Sequence, residues 1–216
     1  MNKKPISRII CLLLVCIIAF GSLTGCVTLG QRMPLATVTL SNGIVFTFRL
    51  YYDKAPNTVK NFIELANSGF YDGNYVTRII NYGVIQMGDP VGDGTGDAGY
   101  FIKGEFADNG YNKNDLSHTE GMIAMARYGS DADDSSYYNT ASCQFFVTVA
   151  DKSYQYDGKY CVFGKILSGY DELKALSKDA QVDENKRPLD EITITSITVE
   201  TYGKDYSSPK TIKKES

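Results

Sequence analysis

His118 is the only histidine of the chain, and the acidic side chains are scattered without a paired arrangement. That scatter supports neither a hydrolase dyad nor a metal site. Gly92-Asp93-Gly94-Thr95-Gly96 is the densest glycine run. It lacks the Lys-Ser/Thr of a phosphate loop and no helical pattern follows, so it reads as a turn. The Asp-rich stretch 128–138 raises calcium, but it has neither the sixth-position glycine nor the closing glutamate of an EF-hand loop. It reads as a solvated loop. Cys143 and Cys161 could pair outside the cytoplasm or could be two small buried side chains, and both readings stay open. Arg78, Gln86 and Gln144 are each flanked by apolar strand residues, and taken singly an arginine or glutamine there reads by default as a solvated surface side chain.

The elements that would position them are short. Ala36, Val38 and Leu40 alternate with threonines, Asn42-Gly43 predicts a type I′ turn, and Ile44, Phe46, Phe48 and Leu50 alternate again. This is a hairpin pattern. Pro56 suits the first turn of a helix whose apolar positions Val59, Phe62, Ile63 and Ala66 fall at i, i+3, i+4 and i+7, with Gly69 placed to stop it. From 75 to 163 short apolar runs are cut by glycine-rich turns. A second helix is predicted over 171–177 with Leu173 and Leu176 inward, and a closing strand starts at Ile192 with a slip near Ser196. Residues 203–216 are polar and are expected to be disordered. Strands of this number, with two helices, predict a mainly β fold: a closed or nearly closed antiparallel barrel with helices at its ends, closure removing exposed edges.

The N-terminus reads as a leader. Lys3, Lys4 and Arg8 precede an apolar run over 9–20, too short to span a bilayer comfortably, and Leu23-Thr24-Gly25-Cys26 follows. That tetrapeptide resembles the lipobox of bacterial lipoproteins. The resemblance implies a signal peptide over 1–25, a lipid on Cys26, a tether over 26–34 and an extracytoplasmic domain held at the membrane. Each buried acyl CH₂ would contribute about 0.8 kcal/mol. An uncleaved anchor or an ordinary secretory signal are the alternatives. Without Lys3, Lys4 and Arg8 the formal charge falls by three, from −3 to −6. An acidic domain argues against nucleic acid as a partner.

Five segments in order resemble the cyclophilin family of peptidyl-prolyl isomerases. They are Phe70-Tyr-Asp-Gly-Asn-Tyr-Val-Thr-Arg-Ile-Ile, Ile85-Gln-Met-Gly-Asp-Pro-Val-Gly-Asp-Gly-Thr-Gly and His118-Thr-Glu-Gly-Met-Ile-Ala-Met-Ala. Asn139-Thr-Ala-Ser-Cys-Gln-Phe-Phe-Val and Tyr156-Asp-Gly-Lys-Tyr-Cys-Val-Phe-Gly-Lys-Ile complete the set. The resemblance implies a cyclophilin-like domain over 35–202: an eight-stranded antiparallel closed β-barrel capped by two α-helices, acting as a monomer without a cofactor. It implies turnover of the bond preceding proline in proline-containing polypeptides, across a barrier of about 18–20 kcal/mol. Arg78 is the implied catalytic residue, donating to the substrate backbone and favouring a pyramidal nitrogen. Gln86 and Gln144 match residues that contact the substrate backbone and orient that arginine. Phe146 matches the floor of the proline pocket, Ala126 a backbone contact, and His118 a structural position.

Several positions depart from the family pattern. Gly83 and Val84 stand where the family has phenylalanine and methionine walls, Tyr156 replaces a leucine, and Tyr160 replaces a histidine near the groove. Gln155 falls at the position of a tryptophan that strengthens cyclosporin binding, and Arg127 replaces an asparagine. A wall lacking its phenyl ring at Gly83 would forgo about 2–3 kcal/mol of burial, roughly thirty- to a hundredfold in affinity. The expected function is folding assistance to secreted or envelope proteins. The alternatives are a cyclophilin-fold lipoprotein that binds proline segments or a partner without useful turnover, and a purely structural envelope protein.

Overall fold

The computed structural model describes residues 32–129 and 131–214. The leader, Cys26 and most of the tether lie outside the described residues. The chain opens with strands β1 (Leu35–Leu40) and β2 (Val45–Leu50), paired antiparallel. Ala36, Val38, Leu40, Phe46, Phe48 and Leu50 all point into the core, as their alternation requires. The connection between them differs from the predicted type I′ turn. Only Gly43 takes a left-handed backbone, with φ of 89°, and Leu40 accepts from Gly43 N–H while donating to Ile44 O. Asn42 keeps a negative φ because its side-chain oxygen accepts from Ile44 N–H at 3.2 Å.

Six further strands complete the main sheet: β3 (Tyr75–Ile79), β4 (Val84–Asp89), β6 (Met122–Met125), β7 (Phe145–Thr148), β8 (Cys161–Ser168) and β9 (Ile194–Glu200). They run antiparallel in the order β3-β4-β7-β6-β8-β2-β1-β9. Eight antiparallel strands were expected, but the expected closure is not a continuous ladder. Strand β3 meets the residues just before β9 through one isolated bridge, Tyr75↔Thr193, flanked by main-chain bonds such as Val76 N–H to Ile192 O at 2.8 Å. Further along β3 the edge is taken by a turn instead of β9: Ile79 N–H donates to Lys186 O at 2.8 Å. Residues 183–187 therefore cover an edge that closure would have removed.

Helix α1 (Pro56–Asn67) buries Val59, Phe62, Ile63 and Ala66 against the inner face of the sheet. Phe62 is its anchor, with ring centroids 5.4–5.5 Å from Phe48, Tyr71, Phe145 and Phe163. The residue before the helix offers no side-chain cap. Glu105, distant in sequence, accepts instead from Asn57 N–H, Thr58 N–H and the Thr58 hydroxyl, placing a carboxylate at the positive end of the helix. A single turn, α2 (Ser153–Tyr156), precedes β8, and α3 (Tyr170–Asp179) follows it, burying Leu173 fully and Leu176 in part. Cys143 and Cys161 are both free and buried, which resolves the two readings in favour of packed thiols.

The tail is ordered over 203–214, contrary to the disorder expected from its polar composition. Tyr206 is buried edge-on against Tyr52 at 5.0 Å. Ser208 N–H donates to Glu64, and Lys210 exchanges two bonds with the Asn57 side chain. Strand β10 (Ile212–Lys213) then pairs with β5 (Tyr100–Phe101), and Lys214 reaches Asp97 at 2.6 Å. One buried aromatic ring and a run of backbone bonds hold a segment that hydropathy alone would leave loose.

Candidate functional site

The sheet is apolar on both faces over its middle strands. Ile79, Ile85, Met87, Phe145, Val147, Ile123 and Phe163 belong to the main core. The opposite face carries a separate cluster of Val84, Met122, Ala124, Ala126, Phe146 and Val162. Strand alternation makes the division, putting Phe145 inside and Phe146 outside. Register then aligns Arg78, Gln86, Phe146, Ala124 and Val162 as successive cross-strand partners through β3, β4, β7, β6 and β8. A guanidinium thus stands at one end of a row whose middle is an aromatic floor.

Above this row lies an open groove of about 520 Å³. Of the residues singled out in the sequence, Arg78, Val84, Gln86, Ala126, Phe146, Tyr156 and Tyr160 all line it. Two predicted positions do not. Gly83 is absent from the lining, and its place is held by Ile80, which packs on the outer cluster. A Cβ at residue 83 would meet Ile80 Cγ2 at 2.6 Å, so the isoleucine already fills the space where a missing phenyl wall was expected. Gln144 lines a small adjoining hollow instead of the main groove.

The glutamines form a relay that ends in the glycine loop. Gln86 donates to Gln144 Oε1 at 2.8 Å, and Gln144 donates to the carbonyls of Gly94 and Gly96 at 3.0 and 2.9 Å. The amide of Gln86 is therefore turned to Gln144, although its ladder partner is Arg78. The glycine run is a turn held by Asp89, whose carboxylate accepts from Val91 and Gly94 N–H. Arg78 itself is exposed, and among the described residues no hydrogen bond or ion pair occupies its guanidinium.

His118 is fully buried beneath the floor. Its ring lies nearly parallel to Phe146 and edge-on to Tyr156 and Tyr160. Burial lowers its pKa against the opposing pull of Asp157, which accepts from both the ring Nδ1 and the backbone N–H. A neutral imidazole bonded to a carboxylate carries its proton on Nδ1. It supports the floor and transfers no proton.

Of the stretch 128–138, expected as a solvated loop, Tyr128, Ala132 and Tyr138 are held at the groove by Arg127. The guanidinium sits 4.9 Å from the Tyr138 ring centre and 4.7 Å from that of Tyr160. It donates to the carbonyls of Lys159, Tyr128 and Ala132. Lys159 pairs with Asp133 at 2.6 Å, and the carboxylates of Asp131 and Asp134 accept from their own turn backbone. Tyr128, a lining residue missed in the sequence, donates to Thr95 O and to Asp97. Asn185 and Arg187 form a further wall that the sequence did not suggest, since nothing in 183–187 marks it as lying beside β3. Ile80 lies one residue beyond β3 and two beyond Arg78, with which it lines the groove.

Chemically the groove joins an exposed cationic donor to a buried aromatic floor, with no nucleophile set against a base. It can hold an apolar ring and hydrogen-bond the backbone beside it. Comparison with known proteins agrees. Residues 35–199 match the family model for cyclophilin type peptidyl-prolyl cis-trans isomerases. The chain is 36% identical over 167 residues to the Arabidopsis thaliana peptidyl-prolyl cis-trans isomerase CYP18-2, covering 77% of this chain and 93% of that one. It is 36% identical to the human peptidyl-prolyl cis-trans isomerase-like 1, covering 74% and 89%. Among solved structures it resembles a Cryptosporidium parvum cyclophilin type isomerase crystallised in the presence of the dipeptide Ala-Pro. That likeness has a TM-score of 0.66 at 29% identity, over 77% of this chain and 98% of that one.

Proposed function

This chain belongs to the cyclophilin type peptidyl-prolyl cis-trans isomerase family, and we propose that it isomerises Xaa-Pro bonds of secreted or envelope polypeptides outside the cytoplasm, as a monomer tethered by lipid on Cys26. The observation that carries the reading is the cross-strand row from Arg78 through Gln86 to Phe146. The proline ring rests on Phe146, walled by Ile80, Val84 and Tyr156. Gln86 and the Ala126 backbone hold the flanking chain. Arg78 donates to the amide nitrogen as it pyramidalises, an interaction stronger in the twisted state than in either planar one. The Ala-Pro dipeptide named with the Cryptosporidium relative suits a groove of this composition.

A cyclophilin-fold binder without turnover would draw on the altered wall at Gly83. Ile80 in that space weighs against it. The test is NMR exchange on a capped Xaa-Pro peptide with the full chain in detergent, beside Arg78→Ala. Exchange enhancement that falls about a hundredfold or more in the variant supports the enzyme. Peptide shifts without enhancement support the binder. Membrane fractionation with Cys26→Ala tests the tether; a chain that stays in the membrane fraction without Cys26 contradicts it.

A further inference from the structure

The groove wall between β3 and the turn of residues 183–187 carries an excess of hydrogen-bond donors. Thr77, Arg78, Asn185 and Arg187 all line it. The turn is fixed beside the strand by Ile79 N–H to Lys186 O, and it is braced internally by Asp183, which accepts from Arg187 N–H at 2.8 Å. Thr77 is 5% exposed, and its hydroxyl has no partner. A buried hydroxyl without a partner is destabilising unless a ligand completes it. Arg187 gives one bond to the Asp93 carbonyl at 3.2 Å. The one carboxylate in the lining belongs to Asp93, and its Oδ1 already accepts from Thr95 N–H and the Thr95 hydroxyl. This donor wall belongs to a chain whose formal charge is −3, so its cationic character is local.

We infer that this wall is a carboxylate site, and that the groove prefers proline segments carrying Asp or Glu within two residues of the proline. The inference rests on the reading that the groove holds the proline segment. Arg187 and Asn185 take the carboxylate, the Thr77 hydroxyl gains its missing acceptor, and Arg78 stays directed at the amide. A chain-terminal carboxylate offers the same chemistry.

Capped single-proline peptides bearing Glu, Gln or Lys beside the proline would be titrated into the full chain in detergent, with a Gln peptide bearing a free C-terminus as a further arm. The Glu peptide is expected to bind about fivefold more tightly than the Lys peptide, with the gap narrowing at high salt. Arg187→Gln is expected to bring the two within about twofold, and Arg187→Lys to keep most of the preference. Equal affinities of all the peptides in the parent chain, the free C-terminus arm included, or a preference that persists in Arg187→Gln, overturn the site. A gain from the free C-terminus alone supports the site with the chain end as its ligand. Exchange enhancement on the neutral peptide is read separately: its absence removes the isomerase reading, while the affinity ranking still decides the carboxylate site.

Discussion

The His118 ring lies 6.1 Å from that of Phe146 and 14° from parallel with it, so a titratable group forms the underside of the groove floor. Its environment sets a pH dependence. Burial lowers the pKa of His118, with Asp157 opposing. The unfolded chain therefore binds the proton more readily than the folded one. Stability is full above the unfolded value of about 6.5 and is lost as pH falls below it toward the folded pKa.

Because His118 is the only histidine, the fall in melting temperature between pH 7.5 and 5.5 is assigned to it. Calorimetry on His118→Gln should show a flatter profile over that window. A parent chain with the same melting temperature at both pH values would contradict this.

Gln144 is the keystone of the relay to the glycine loop. Gln144→Ala would strand Gln86 Nε2 and the carbonyls of Gly94 and Gly96 near buried surface. The expected loss is about 1–3 kcal/mol, read as a lower urea midpoint. Faster amide exchange over 92–97 should accompany it. Unaltered exchange there would place the stabilising role elsewhere.

A chain ending at residue 203 loses the Tyr206–Tyr52 contact, the bonds to Asn57 and Glu64, and the partner of β5. Burial of one aromatic ring alone accounts for about 2 kcal/mol, so the melting temperature should drop by roughly 4–8 °C. An unchanged melting temperature would show that the tail rides on the domain without stabilising it.

The thiols of Cys143 and Cys161 are both pushed up to about 12 by burial. At neutral pH neither presents a thiolate. Mass-mapped alkylation should leave both unmodified in the folded chain and label both after denaturation. Labelling of either under native conditions would mean that its strand opens.

The hairpin, α1 and α3 are legible because their apolar periodicity is long enough to fix a face. The short strands of the middle region are not, and only the motif resemblance ordered them. The groove residues were read mostly through that resemblance. The resemblance places Gly83 at the wall, and it does not show that the turn holding Gly83 brings Ile80 into that space. The 183–187 turn and the tail escaped for one reason. Both are polar segments held by backbone pairing to distant strands, Lys186 to Ile79 and Ile212 to Phe101, and such pairing leaves no mark in local composition. Closure failed as an expectation because that same turn occupies the edge of β3.

The pairing of β1 with β9 joins Leu35 to Glu200, nearly the whole length of the domain. A chain emerging in order from its N-terminus makes the first hairpin early, yet β1 keeps a bare edge until some 160 residues later. Contacts of such sequence separation are slow to form. An unpaired strand edge invites association with other chains. Lys214 and its bond to Asp97 arrive later still. The growing chain is therefore exposed at its first strand until β9 is made, so the sheet is completed only near the end of synthesis of the domain.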